Sequence, residues 1–390
     1  MKIVHVANFY GPNSGGIKTT LHALGKGYTH LGHEFIYIVP GSSHCQELTP
    51  YGQKIYLPGY NLPGSGGYKF IKSNRKLKAL LAELQPDFLE VSDRFTLMSL
   101  GAWARKRGIP TTVFSHETLA GLARRFLPLP SSIRNALVRW HNRKLSRSFD
   151  QVVTTTNFAA QEFVEIDAKN IFKISLGVDL EIFNPNKRSE ERRLELLKGS
   201  SKLLVHCGRL SREKEPQRSI ETLIELRRQG IDARLIVIGM GPMWKELQSL
   251  ADGHPVDFLG YIANPHKIAE IIASSDASFA PGPLETFCLS ALESLACGTP
   301  VVASASSAVR EMLDLDESTP AGAVAADHYL NFTSAVKMLM DANSFRFAAR
   351  KAAEKLPWNK SIHLMRELHG LTEIGKNAPH AMVKPKNRAA

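Results

Sequence analysis

Cysteine is scarce in this 390-residue chain. The four that occur, Cys45, Cys207, Cys288 and Cys297, lack metal-ligand spacing, and three stand in apolar surroundings. They form no disulfide framework and read as reduced structural thiols of a cytoplasmic protein. Long apolar runs are also missing: no stretch reaches the ~20 residues of a membrane-spanning helix. Met1-Lys2-Ile3-Val4 begins as a strand, so no signal peptide is expected. The first glycine loop (Gly11, Gly15, Gly16) has no Gly-Lys-Ser/Thr sequel and no Gly-x-Gly-x-x-Gly order. A Walker loop and a dinucleotide fingerprint are thereby excluded there. Gly239-Met-Gly241-Pro242 lacks the third glycine as well and reads as a turn.

Apolar residues make up 43% of the chain, which excludes disorder for its bulk. Its length exceeds one ordinary core and suits two domains. Strand-like and helical stretches alternate through both halves. Strands are predicted at 2–7, 35–39, 88–91, 111–115 and 151–155, with a helix over 17–31. The second half predicts strands at 202–207, 234–238, 256–259, 277–280 and 301–303. Helices fill the intervals at 216–229, 243–251 and 265–274. Near-continuous apolar strands between helices imply parallel sheets covered on both faces. The expected fold class is α/β, with two doubly wound Rossmann-like domains and ligands at the carboxyl ends of the strands.

Glu285 and Glu293 stand eight positions apart across a loop-to-helix junction that follows the apolar run 277–280. Eight helical residues span ~12 Å, enough to bracket an elongated ligand. The first-turn N–H groups between them favour an anion such as a diphosphate. An amphipathic helix with two solvated glutamates would show the same spacing. Arg209 and Lys214 lie five positions apart just past the first strand of the second half. A guanidinium fork and an ammonium there can converge on a diphosphate and absorb charge on a leaving group. Arg212 competes for that role. Gly15-Gly16 allows close backbone approach and positive φ. His116 follows the strand 111–115 at its carboxyl end.

These features together resemble the glutamate-pair signature of retaining GT-B glycosyltransferases of family four, which use nucleotide sugars. The resemblance runs from Gly15-Gly16 to the helix beginning at Trp358. It implies a GT-B fold with a central cleft. Residues 1–177 would form an acceptor-binding domain, joined by a returning helix at 356–370. Residues 178–200 would be the interdomain linker, with the boundary in Gly177-Val-Asp179-Leu-Glu-Ile-Phe183-Asn-Pro185. Residues 201–355 would bind the nucleotide sugar, and 371–390 would be a disordered tail. Glu285 would then lie against the donor sugar and Glu293 would grip the ribose. His116 would contact the sugar, making His116 and Glu285 the catalytic pair. Gly15, Gly16, Arg209, Lys214, Tyr261, Ile262, Phe287, Cys288, Leu289 and Glu293 would hold the donor. The family usually has glycine where this chain has Cys288, which adds a side chain beside the phosphate loop. No cofactor and no metal are implied; Asp314-Leu-Asp316 reads as incidental.

Leu89-Glu90-Val-Ser-Asp93-Arg94 and Ser115-His116-Glu117 resemble a narrower group, bacterial GDP-mannose-dependent mannosyltransferases of lipid acceptors. Tyr10, Asp93 and Arg94 become candidate acceptor contacts. The charge of +12 fits that reading, because it is concentrated in two acid-free stretches. One holds Lys69, Lys72, Arg75, Lys76 and Lys78 in a helix-like segment. The other runs from Arg124 to Arg147, with Leu127, Leu129, Leu137 and Trp140 interleaved. Such surfaces suit anionic lipid headgroups, although a solvated face would look alike. No nucleic-acid signature accompanies them. The expectation is a hexosyltransferase using GDP-mannose, peripheral at the inner membrane face. A UDP-sugar or soluble-acceptor enzyme, a GT-B-fold epimerase, and a basic binding protein are the alternatives. Oligomeric state is not legible.

Overall fold

The computed structural model describes residues 1–11, 15–61, 67–314, 320–340 and 344–371, except the side chains of Arg125 and Phe126. The chain divides into two compact units, Met1–Ser175 with the segment from Asn359 onward, and Leu176–Trp358. The tail expected beyond residue 371 and the Asp316 half of Asp-x-Asp lie outside the described residues.

The first unit carries β1 (Lys2–Val6), β2 (Glu34–Gly41), β3 (Cys45–Thr49), β4 (Gly52–Asn61), β5 (Lys69–Ile71), β6 (Phe88–Val91), β7 (Thr111–Ser115), β8 (Gln151–Thr154) and β9 (Ile171–Lys173). Among the described residues the sheet order is β3-β4-β2-β1-β6-β7-β8-β9, with β5 paired to β4. Strands β1, β2, β4, β6, β7, β8 and β9 run parallel, and β3 and β5 are antiparallel additions. The strand period of two splits β1 between both faces. Val4 and Val6 enter one core, and Ile3 and Ala7 the other. The hairpin β3–β4 was missed because Gln46, Glu47, Gln53 and Lys54 break its apolar pattern. The basic stretch at Lys69 is not one helix. Lys69 belongs to β5, and the helix Asn74–Leu84 starts only after Ser73, whose hydroxyl accepts from Lys76 N–H at 3.3 Å.

The second unit carries β10 (Lys202–Cys207), β11 (Ala233–Ile238), β12 (Val256–Gly260), β13 (Ala277–Ala280), β14 (Val301–Ser304) and β15 (Gly322–Ala325). Their order β12-β11-β10-β13-β14-β15 is all parallel. It is the doubly wound order, whose direction reverses beside β10 and β13. Both loops carrying the predicted cations and glutamates follow those two strands.

Val178, Phe183, Leu196 and Leu197 are buried in the second unit's core, and the helix Glu190–Leu197 packs there. The apolar positions in an otherwise charged segment are what anchor it. The helix Trp358–Leu368 places Met365 and Leu368 in the first unit's core, and Gln151 Nε2 donates to Leu368 O at 2.9 Å.

Candidate active site

In the second unit Lys214 Nζ donates to Glu285 Oε1 at 2.5 Å. Gly282 permits the approach of their loops, since a Cβ there would lie 3.2 Å from Lys214 Cα and 3.3 Å from Glu285 Cγ. Burial pulls the Lys214 ammonium down, but the Glu285 carboxylate overrides it and holds the lysine above its ordinary value. The pair thus keeps a cation ready for an anionic ligand. Glu293, on the helix Leu289–Ala296, is different: burial pushes its carboxyl up to about 8. It is protonated at neutral pH in the ligand-free chain and offers both a donor and an acceptor.

Cys288 heads that helix at φ +66°, a left-handed conformation that favours glycine. Its side chain packs against the apolar cluster holding Phe287, with Leu289 beside it, and Sγ lies 3.5 Å from Ser290 Oγ. Burial pushes the thiol up to about 12, so it stays neutral. The extra side chain stands beside the first turn of that helix, and the loop keeps the left-handed backbone shape that glycine favours.

Arg209 is half-buried, whereas Arg212 is exposed on the short turn Arg212–Lys214. Gly239 and Gly241 do more than turn the chain. At φ +135°, a Cβ on Gly239 would meet Gly208 O at 1.9 Å, and one on Gly241 would meet Leu210 O at 2.2 Å. The two glycines let the next βα turn lie flat on the Arg209 loop. Tyr261 is exposed and Ile262 packs against the same apolar cluster as Phe287, just after Gly260 at φ +69°. Arg218 was missed. Its guanidinium is buried, donates to Pro281 O at 2.5 Å and pairs with Asp327 at 3.3 Å and with Glu215. It braces the loop that carries Glu285. A cation on the buried side of the helix Gln217–Arg228, between Pro216 and Ile220, was the available signal.

In the first unit His116 ends a buried polar chain. The β1–β6 register sets His5 opposite Glu90. His5 Nδ1 donates to Glu90 Oε2 at 2.7 Å, and Tyr28 OH to Oε1 at 2.8 Å. Burial would raise Glu90, but the His5 hydrogen bond overrides it and holds the group below its ordinary value, as a carboxylate. Ser92 Oγ then bridges His5 Nε2 at 2.8 Å and His116 Nε2 at 2.9 Å. One hydroxyl proton can be given to only one imidazole, so the other must present its N–H to the oxygen. Burial lowers His116 to about 4, which makes it neutral at physiological pH. His369 closes the chain, stacked on Phe88 at 3.8 Å with Nε2 3.3 Å from Glu90. Burial also lowers it to about 4, so that contact is not an ion pair at pH 7.

His116 lines a small cavity of about 10 Å³ with Phe9, Asp93 and Arg94. The expected acceptor contacts Asp93 and Arg94 are engaged within the protein. Asp93 accepts from Asn8 Nδ2 at 2.9 Å and from Phe95 N–H at 2.7 Å. Arg94 reaches Ser115 Oγ at 2.9 Å, Glu117 O at 2.7 Å and Glu162 at 2.5 Å, and also donates to Asn142. Both brace the loop after β6. Gly15 has φ −83°, so positive φ is not its use; a Cβ there would meet nothing within 4 Å, leaving an open face for close approach. Tyr10 is buried, with Lys54 Nζ of β4 5.2 Å from its ring centroid. Among the described residues no three His, Cys, Asp or Glu side chains could hold a metal, and no helix is long and apolar enough to cross a membrane.

Two family models match: "Glycosyltransferase Family 4" over residues 14–182 and "Glycosyl transferases group 1" over 187–356. A GDP-mannose-dependent alpha-(1-6)-phosphatidylinositol dimannoside mannosyltransferase of Mycobacterium tuberculosis (strain ATCC 25177 / H37Ra) is 42% identical over 94% of this chain and 95% of its own. The chain belongs to this glycosyltransferase family. A GDP-mannose-dependent alpha-mannosyltransferase of Corynebacterium glutamicum is 26% identical over 77% of this chain and 72% of its own. Among solved structures, sucrose-phosphate synthase from Thermosynechococcus elongatus superimposes with a TM-score of 0.75 at 17% identity, covering 95% of this chain and 98% of that one. That likeness establishes the GT-B fold. In this glycosyltransferase the paired Lys214 and Glu285, the helix mouth at Cys288 and the neutral Glu293 are gathered in one unit, and His116 with its polar chain in the other.

Proposed function

We propose that this glycosyltransferase moves mannose from GDP-mannose, with retention of configuration, onto a lipid-linked mannoside at a membrane surface. The observation that carries the reading is the 42% identity, over nearly the whole of both chains, to an enzyme named for that donor and for phosphatidylinositol dimannoside. The residues supply the chemistry. Arg209, Lys214 and the first turn of Leu289–Ala296 offer positive charge to a departing nucleotide diphosphate. Glu285 holds Lys214 in place, and Glu293 presents a carboxyl to a ribose diol. Neutral His116 serves as an orienting hydrogen-bond partner of the sugar. The departing phosphate, leaving from the face the acceptor attacks, takes the hydroxyl proton. The cation set neutralises the diphosphate without a metal.

The first unit's surface supports a lipid acceptor. On the helix Ser131–Ser148, Ile133, Leu137 and Trp140 are exposed at helical spacing, flanked by exposed Arg139, Arg143 and Lys144. Exposed apolar residues among cations suit a membrane interface, each cation contributing ~1 kcal/mol near anionic lipid. The test is transfer of labelled mannose from GDP-mannose to phosphatidylinositol mannosides in anionic vesicles, with the anomeric configuration of the product read by NMR. Transfer from UDP-sugars alone would refute the donor; inversion would refute the mechanism. Full activity in Trp140→Glu and Arg139→Glu on vesicles would refute the surface.

A further inference from the structure

Lys214 and Glu285 lie 71 positions apart, so their pairing depends on where two separate loops are held. One buried side chain reaches both. Arg218, on the helix Gln217–Arg228, is 6% exposed. Its Nη1 donates to Pro281 O at 2.5 Å, on the loop that leads to Glu285. Its Nη2 donates to the carboxylate of Glu215, the residue directly after Lys214. Asp327, in the loop after β15, is a third support: Oδ1 and the main-chain O each accept from the guanidinium at 3.3 Å. The same Oδ1 accepts from Ser304 Oγ at the end of β14, and the Phe332 ring lies 5.3 Å from the guanidinium carbon.

The backbone beside Lys214 is strained in a way that this contact explains. Glu215 stands at φ +45°, where a Cβ crowds the chain and glycine is favoured. Such conformations persist only where the surroundings over-determine them, and they gather at functional sites. Here the Glu215 carboxylate is tied to Arg218, which fixes the exit of the turn Arg212–Lys214. The Glu285 loop is pinned at its other end as well, because Ala308 N–H donates to Glu285 O at 2.8 Å. The charge of Arg218 is matched by Glu215 and Asp327, so its use is geometric. A planar guanidinium holds several acceptors in one fixed fork, which a lysine ammonium on a flexible stem does not.

We propose that Arg218 is a positioning residue for the transfer reaction. With Glu215 it clamps the Lys214 loop to the Glu285 loop and so sets the place at which the Lys214 ammonium meets a diphosphate. Arg218 itself touches neither donor nor acceptor; it acts through Lys214. The inference rests on the reading that the Lys214–Glu285 pair belongs to the transfer site, and it adds what holds that pair in register.

The test is a double-mutant cycle on the full chain with Arg218→Met, Lys214→Met and both together. Transfer from GDP-mannose gives kcat and the donor KM, and calorimetric titration with GDP reads the same cycle without an acceptor. Arg218→Met is expected to lower kcat roughly tenfold or more, with a smaller rise in KM, because a misplaced charge costs most as the diphosphate departs. In the Lys214→Met background the same change is expected to cost less than about twofold further, since no ammonium remains to be placed. A merely structural loss would cost the same factor in both backgrounds, whatever its effect on the melting temperature. Glu215→Gln, at a partly exposed position, is expected to repeat the pattern more weakly, and it keeps the test decisive if Arg218→Met does not fold. Equal losses in the two backgrounds, or wild-type kinetics and GDP affinity in Arg218→Met and Glu215→Gln, overturn the clamp and leave Lys214 and Glu285 in the site. Wild-type kinetics and GDP affinity in Lys214→Met overturn the reading of the pair, and the clamp with it.

Discussion

Replacing Glu293 by glutamine tests the electrostatics of the donor half-site without its ligand. In the folded chain this carboxyl keeps its proton up to about 8, whereas its ordinary value is 4.5. Between those values the native state binds one proton more than the unfolded chain, so stability falls as pH rises and levels off above the folded value. Each unit of difference corresponds to ~1.4 kcal/mol. Across pH 5 to pH 8 the linkage removes ~3 kcal/mol, or ~2 kcal/mol once partial solvent access is allowed for. Glu293→Gln keeps the shape of the neutral acid but has no proton to lose. Other titrating groups are common to both proteins and cancel in the difference between them. At ~2–4 °C per kcal/mol for a unit of this size, the melting-temperature gap should widen in favour of glutamine by roughly 5 °C or more from pH 5 to pH 8. Thermal denaturation of both proteins at the two pH values measures it. A gap independent of pH would refute the raised carboxyl and with it the neutral Glu293 offered to a ribose.

Three further outcomes are expected. Arg209→Ala and Lys214→Ala should each lower kcat ~100-fold, the ~3 kcal/mol of a lost charge-stabilising contact, and Lys214→Ala should also lower the melting temperature because it strands the Glu285 carboxylate; wild-type kinetics in both would remove them from the mechanism. Cys288→Gly should be stable to within about 1 kcal/mol, because relief of the left-handed conformation offsets the lost thiol packing and glycine's entropy; a loss of several kcal/mol in denaturant unfolding would contradict the conformation described. Ser92→Ala should change the imidazole ¹⁵N shifts of His116 and lower kcat more than it raises the donor KM, since the hydroxyl bridge fixes that ring's proton; unchanged shifts would show that the bridge is not formed.

The sequence by itself determined the parallel α/β architecture, because strand and helix periods alternate along the chain and each is a local property. It also determined the Glu285–Glu293 segment, where loop, helix start and both carboxylates lie within a few turns of one another. Antiparallel β3 escaped it, since an exposed edge hairpin with Gln46, Glu47 and Lys54 shows no apolar run. So did the packing of Leu196 and Leu197 into a core, which the charged residues around them do not announce. Asp93 and Arg94 stood in a suggestive motif, yet which atoms they meet depends on Asn8 and on Asn142 and Glu162, brought in by distant elements. The chain from Glu90 through His5 and Ser92 to His116 joins residues 85 and 87 positions apart, and then 24. Two titratable residues in apolar strands were visible, but only the β1–β6 register sets them face to face. The protonation of Glu293 likewise came from burial, which spacing along a helix cannot report. Contacts within a few residues follow from backbone geometry; contacts across the sheet, and the desolvation they bring, exist only once the strands have paired.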